Sequence, residues 1–233
     1  MKFIRKYLKS FIALFYPKVC LTCGVSLQGN ENILCAWCMH TLPETGYHCS
    51  VNNPVSELFY GRILLNHAFA FLFFDKESRY RHLIYQLKYH GRKEAGIFLG
   101  KLIGSRILEA DFKTIDAIVP VPLHPSKQRR RGYNQSEVLA EGVSSILKKP
   151  VLKDAISRKV ITSTQTKKGR FERWLNVEGI FQCDNPERLE GRHILLIDDV
   201  VTTGATLEAL ASPILRLNGT SISIATAAYA STG

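Results

Sequence analysis

The 233-residue chain has no run of the roughly 18 apolar residues that a membrane-spanning helix requires, which argues against such a span. It has no Gly-x-x-x-x-Gly-Lys-Ser/Thr, which argues against a P-loop ATPase. A secretory leader is not expected either. Lys2, Arg5, Lys6 and Lys9 imitate its charged start, but Phe11 to Tyr16 is too short an apolar core and no small-residue cleavage site follows. The expected compartment is a reducing cytoplasm, where paired cysteines point to metal before disulfide. Acidic residues are in deficit: 20 Asp and Glu face 31 Lys and Arg, for a net charge of +11. That imbalance favours a polyanionic partner or substrate, and charge alone leaves nucleic-acid contact open.

The chain is organised around the stretch from His193 to Thr206. Ile194 to Ile197 are four consecutive apolar residues, as in a strand covered on both faces. Asp198 and Asp199 fall where that strand is expected to end. Thr202, Thr203, Gly204, Ala205 and Thr206 then offer backbone N–H groups and three hydroxyls at a helix N-terminus, a ready anion site. Acid beside an anion cradle fits a ligand that carries both hydroxyls and a phosphate.

The length suits one domain plus a smaller module, which we place at 66–233 and 1–65. Phe3, Ile4, Tyr7, Leu8, Phe11, Ile12 and Phe15 recur at helical spacing and predict an amphipathic helix docked on the rest of the protein. Membrane-surface binding is its alternative. Beyond Pro17 come Cys20-x-x-Cys23 and Cys35-x-x-Cys38, separated by eleven residues. Two such knuckles complete a tetrahedral site with no open position, the mark of structural zinc. Redox pairs or plain buried cysteines are the other readings. Cys49, His40 and His48 are left over and are expected to bind no metal.

His67 to Phe74 is strand-like. Arg79 to Leu108 reads as helix interrupted at His90-Gly91, with 66–110 as a hood or connecting part. Lys88-Tyr89 near that interruption either touches ligand phosphates or belongs to a solvated face. Ile115 to Pro122 predicts a strand. Leu123 to Arg131 is a basic loop, and Asn134 with Glu137 forms a capping box for the next helix. A basic loop feeding a helix start suits a highly charged anion such as pyrophosphate. Val151 to Ser157 and Ile180-Phe181 are strand candidates. Lys159 to Trp174, basic and without apolar period, is expected to be a lid or a disordered segment. Pro213 is expected to kink the helix after Thr206, and Thr220 to Ala228 forms a last strand. Alternating strands and helices indicate an α/β fold with a mostly parallel sheet.

Ile194 to Thr206 resembles the phosphoribosyl pyrophosphate (PRPP) signature of type I phosphoribosyltransferases. Pro120-Val-Pro122-Leu-His124-Pro, Arg131-Gly-Tyr-Asn-Gln135, Gln165, Arg173-Trp-Leu-Asn176, Phe181, Leu87-Lys88-Tyr89 and the cysteine pairs are together similar to the competence protein F (ComF) family. This resemblance runs from about residue 17 to the C-terminus. The chain departs from the pattern at Pro213 and at Cys49. The resemblance implies a type I phosphoribosyltransferase-like fold, with a mostly parallel sheet flanked by helices and a small N-terminal zinc-ribbon module. It implies that Thr202 to Thr206 hold a 5′-phosphate, that Asp198 and Asp199 face ribose hydroxyls, and that Arg131, Gly132, Tyr133, Asn134 and Gln135 serve the pyrophosphate loop.

Under that resemblance the reaction is displacement at the ribose anomeric carbon with pyrophosphate leaving. Magnesium bound with PRPP, Arg131 and, after lid closure, Arg173 stabilise the leaving group. No residue stands out as a general base, and the acceptor stays unnamed. The expected setting is DNA uptake in natural transformation. The alternative is a non-enzymatic accessory protein that binds single-stranded DNA, a competence helicase or other DNA-uptake proteins, with a sensory or vestigial PRPP site.

Overall fold

A computed structural model describes residues 18–75, 77–89, 92–110, 114–159 and 180–230. The expected amphipathic helix of residues 3–15 lies outside these, as do nearly all of the expected lid and Arg173 within it.

Six strands are described: β1 (His67–Phe73), β2 (Ala117–Pro120), β3 (Ile156–Arg158), β4 (Phe181–Cys183), β5 (His193–Val201) and β6 (Ser221–Tyr229). The helices are α1 (Ala36–His40), α2 (Pro54–Glu57), α3 (Arg81–Tyr89), α4 (Lys93–Glu109), α5 (Pro125–Arg131), α6 (Gln135–Leu147) and α7 (Ala205–Leu215). The main sheet has the order β1-β6-β5-β2, with every neighbouring pair parallel. This is the mostly parallel sheet expected from the alternating pattern. β3 and β4 form a separate antiparallel pair.

Both faces of the sheet are covered, which is why its central strands read as unbroken apolar runs. Successive side chains alternate between faces. Leu195 and Ile197 join Leu83 and Leu87 of α3, Leu99 and Ile103 of α4, and Leu139 and Val143 of α6 in one core. Ile194 and Leu196 join Leu207, Leu210 and Ile214 of α7 in the other, with Ile156 and Phe181 of the small ribbon. α4 and α6 approach closely because glycine faces glycine: a Cβ on Gly100 would stand 2.1 Å from the Leu139 carbonyl oxygen and 2.9 Å from Gly142 Cα.

Several expectations change. β5 does not end at Asp198 but continues to Val201, because β6 pairs alongside it as far as Tyr229. Leu123 to Arg131 is not a loop throughout: Pro125–Arg131 is helical, with His124 accepting from the Ser126 N–H at its N-cap and Gly132 closing it at φ 78°. The strand expected over Val151 to Ser157 is divided, with Val151 bridging Ile118 and only Ile156 onward forming β3. Pro213 lies in the last turn of α7, which ends at Leu215. Among the described residues no helix is long and apolar enough to cross a membrane.

Candidate functional site

Asp198 and Asp199 occupy consecutive positions near the C-terminal end of β5. Asp198 Oδ1 accepts from Ser136 Oγ at 2.9 Å and from the Asp199 N–H at 2.8 Å. Asp199 Oδ1 accepts from the Val200 N–H at 2.7 Å, while its Oδ2 lies 3.2 Å from Lys88 Nζ. Burial, and then the neighbouring Asp199 charge, push the Asp198 carboxyl up to about 7. The Asp199 N–H, the Ser136 hydroxyl and Lys88 pull the other way without cancelling the rise.

After Val201 the chain turns through Thr202 and Thr203, and Gly204 caps α7 at φ 76° with no side-chain cap bond. A cavity of about 40 Å³ is lined by Asp198 and by Val200 to Leu207. The structure thus brings the acid and the hydroxyl-bearing loop onto one small cavity at a helix N-terminus. The segment before β1 braces this loop. Arg62 donates to the Thr203 carbonyl at 3.1 Å and pairs with Glu208. The Phe59 ring packs against Gly204. Sequence reasoning missed both residues, since nothing local marks contacts across some 140 positions.

The turn joining α5 to α6 is next to the same acids. Tyr133, Asn134, Gln135 and Ser136 are buried, whereas Gly132 is exposed. Tyr133 donates its hydroxyl proton to the Leu87 carbonyl. Asn134 accepts from the Ser136 N–H at 3.1 Å and donates to the Val121 carbonyl at 3.0 Å. Glu137 accepts from the Asn134 side-chain amide at 3.3 Å rather than forming the expected capping box. The side chains of Tyr133 and Asn134 therefore work inward, fixing the turn. Gln135 is 5% exposed and its Oε1 lacks a hydrogen-bond partner. Arg131 is partly buried, and Arg129 and Arg130 are exposed. Ser136 was not singled out by sequence. Its signal was its place two residues after an N-capping Asn.

At the opposite end of β5, both ring nitrogens of His193 are hydrogen-bonded, Nδ1 with the Thr114 hydroxyl and Nε2 with the Ser223 hydroxyl, each at 2.8 Å. It is a satisfied core histidine, held below its usual range first by burial.

The four cysteines of the N-terminal knuckles converge. Their sulfurs all lie within 4.8 Å of one another, and Cys23 Sγ is 3.7 Å from Cys35 Sγ. A tetrahedral Zn²⁺ with sulfur ligands at about 2.3 Å spaces its sulfurs by roughly 3.8 Å, so the set fits. Local turns build it: the Cys20 N–H donates to the Val25 carbonyl at 2.8 Å, the Gly24 N–H to that of Cys20 at 3.0 Å, and Cys35 N-caps α1. Burial raises Cys20, but backbone donors around it, led by Cys23 and Cys35, outweigh burial and bring it to about 6. Cys38 is pushed well up by burial and by the other sulfurs. Four thiols so placed cannot all ionise without a cation among them. Cys49 stands apart, its Sγ 3.3 Å from His48 Nε2. His40 is exposed on α1.

Residues 133–233 match the phosphoribosyl transferase domain family. Within that match lie β3 to β6, α6 and α7 with the loop after β5, so this part of the α/β domain is phosphoribosyltransferase-like, and the four-cysteine module stands ahead of it. DNA utilization protein YhgH of Escherichia coli (strain K12) is 34% identical over 146 residues, covering 61% of this chain and 63% of that protein. Competence protein F of Haemophilus influenzae is 28% identical over 218 residues, 87% of this chain and 93% of that one. Competence protein ComFC of Bacillus subtilis is 37% identical over 99 residues, 42% and 38% of the two chains. Over these spans the chain is similar to competence protein F and ComFC. It spans 63% of the length of the YhgH relatives it matches.

Proposed function

We propose that this protein binds PRPP with magnesium at the loop from Asp198 to Thr206 and transfers its phosphoribosyl group to an acceptor, in the handling of incoming DNA. The observation that carries this reading is the single cavity shared by Asp198 and the Thr202–Thr206 loop. The exposed N–H groups and hydroxyls of the loop suit a 5′-phosphate. Asp198 and Asp199, fixed by Ser136 and by backbone N–H groups, suit the ribose hydroxyls. Gly132 offers exposed backbone at the α5–α6 turn, beside Arg131, for the diphosphate. In the reaction the bond from the anomeric carbon to the diphosphate oxygen breaks and its electron pair leaves with pyrophosphate. A bond from the acceptor to that carbon replaces it. The acid pair orients the ribose and offsets positive charge developing on it, while Arg131 meets the charge of the leaving group. Magnesium, bound with the diphosphate, supplies further neutralisation of that group. Arg173 belongs to the same proposal, as a lid residue.

The cysteine module would hold zinc through Cys20, Cys23, Cys35 and Cys38, as a structural ion with no open position. We place its boundary near residue 65, and the protein in the cytoplasm.

Calorimetric titration with PRPP and magnesium tests the reading, followed by a screen of nucleobases and nucleotides for pyrophosphate release. No binding by the native protein, or binding that survives Asp198→Asn with Asp199→Asn, rejects it. A second reading, an accessory protein that contacts single-stranded DNA or a helicase, is favoured by the net charge of +11. It requires DNA binding that weakens steeply with salt.

A further inference from the structure

The acid pair has a resident counter-ion that comes from outside the region matched to the domain family. Lys88 lies in the last turn of α3, ahead of the matched region 133–233. Its ammonium stands 3.2 Å from Asp199 Oδ2, with a quarter of the lysine side chain exposed. That carboxylate oxygen is buried and has no hydrogen-bond donor in line, so the ammonium is its charge partner. The neighbouring Leu87 carbonyl accepts the Tyr133 hydroxyl proton, which ties this turn of α3 to the α5–α6 turn. Lys93 adds a cation 5.8 Å from the centre of the Tyr133 ring. Lys88 is therefore held at two points, by its backbone neighbour at the diphosphate side and by its ammonium at the acids.

A buried carboxylate needs a partner in every state it visits. When ribose hydroxyls donate to Asp199, they take over the role of the ammonium. A lysine head group is a compact charge on a flexible stem, free to turn. The α5–α6 turn beside it is where a diphosphate brings new negative charge. We infer that Lys88 is a diphosphate-binding residue, parked on Asp199 in the free protein and released to the leaving group when the ribose hydroxyls replace it. The inference rests on the PRPP reading and adds to it a residue that binds the leaving group.

The test is calorimetric titration of the full chain with three probes in magnesium: PRPP, ribose 5-phosphate and inorganic pyrophosphate. Lys88→Met is expected to weaken PRPP and pyrophosphate by roughly 10- to 100-fold, as for loss of a charged hydrogen bond. Ribose 5-phosphate, which has no diphosphate, is expected to bind as well as before or better. Lys88→Arg recovers part of the loss. If Lys88→Met fails to fold, Lys88→Gln keeps a donor for Asp199 without the charge and gives the same comparison. Equal weakening of PRPP and ribose 5-phosphate, or no weakening, removes Lys88 from this role and leaves the site reading intact. A native protein that binds none of the three probes overturns both.

Discussion

The ring of Phe59 occupies the place where a side chain on residue 204 would have to stand: a Cβ there would lie 2.8 Å from Phe59 Cε1. Phe59 is itself 1% exposed and follows α2, so it cannot simply swing into solvent. The segment ahead of β1 and the loop after β5 are therefore shaped to each other, with Arg62 adding a bond to the Thr203 carbonyl.

Gly204→Ala meets two obstacles at once, the Phe59 contact and a φ of 76°. We expect a loss of about 1–3 kcal/mol, read as a lower thermal midpoint. Affinity for PRPP should fall further than the stability loss explains, because the loop N–H groups are displaced. A variant with the native midpoint and native affinity would show that the contact is unimportant.

Gly100→Ala tests the fold away from the site. The new Cβ would press on the Leu139 carbonyl at 2.1 Å, and backbone cannot rotate aside as a flexible side chain does. The cost is expected at or above the upper end of the ~1–3 kcal/mol range for overpacking. Urea unfolding measures it. Little change in midpoint would mean that α4 and α6 separate readily.

Metal removal should be severe. The purified protein is expected to carry one zinc per chain, and Cys38→Ser to lose it and lower the thermal midpoint by about 10 °C or more. Cys49→Ser should keep the metal, since Cys49 lies outside the group of four. Metal analysis of both variants decides. Retention of zinc by Cys38→Ser would remove the assignment of the four cysteines as its ligands.

The acid pair makes stability depend on pH in a stated direction. Asp198 titrates near 7 in the folded protein against an ordinary value of 3.8. The native state therefore holds this proton more tightly than the unfolded chain does. Its contribution is full below about 3.8 and is lost as pH rises through 7, at no more than about 1.4 kcal/mol per pH unit. Asp198→Asn should flatten that slope in urea titrations between pH 5 and 8. Parallel slopes in the two proteins would exclude Asp198 as the source.

The parts of this protein legible in its sequence are those fixed by near neighbours. The apolar run of β5, the Asp-Asp pair, the hydroxyl loop and the cysteine knuckles each declare themselves within a few residues. What escaped depends on distant partners. β5 extends past Asp198 only because β6 continues beside it. Pro125–Arg131 reads as a charged loop, yet His124 and Gly132 cap it into a helix with no buried face. The antiparallel β3–β4 pair joins segments too short to show a period. Arg62, Phe59 and the contact of Lys88 with Asp199 emerge only when segments far apart in sequence meet, although Lys88 itself is a phosphate-contact candidate in the sequence.

The strand order β1-β6-β5-β2 limits how such a gene can be cut or fused. The recognisable region, 133–233, encodes only the two central strands of the main sheet. A chain started there would carry β5 and β6 with bare hydrogen-bonding edges on both sides, an invitation to aggregation. It would also leave behind the α4 surface on which α6 rests. The heritable unit is accordingly longer than the motif by which it is recognised: shuffling that keeps the loop after β5 must carry β1, α4 and β2 with it.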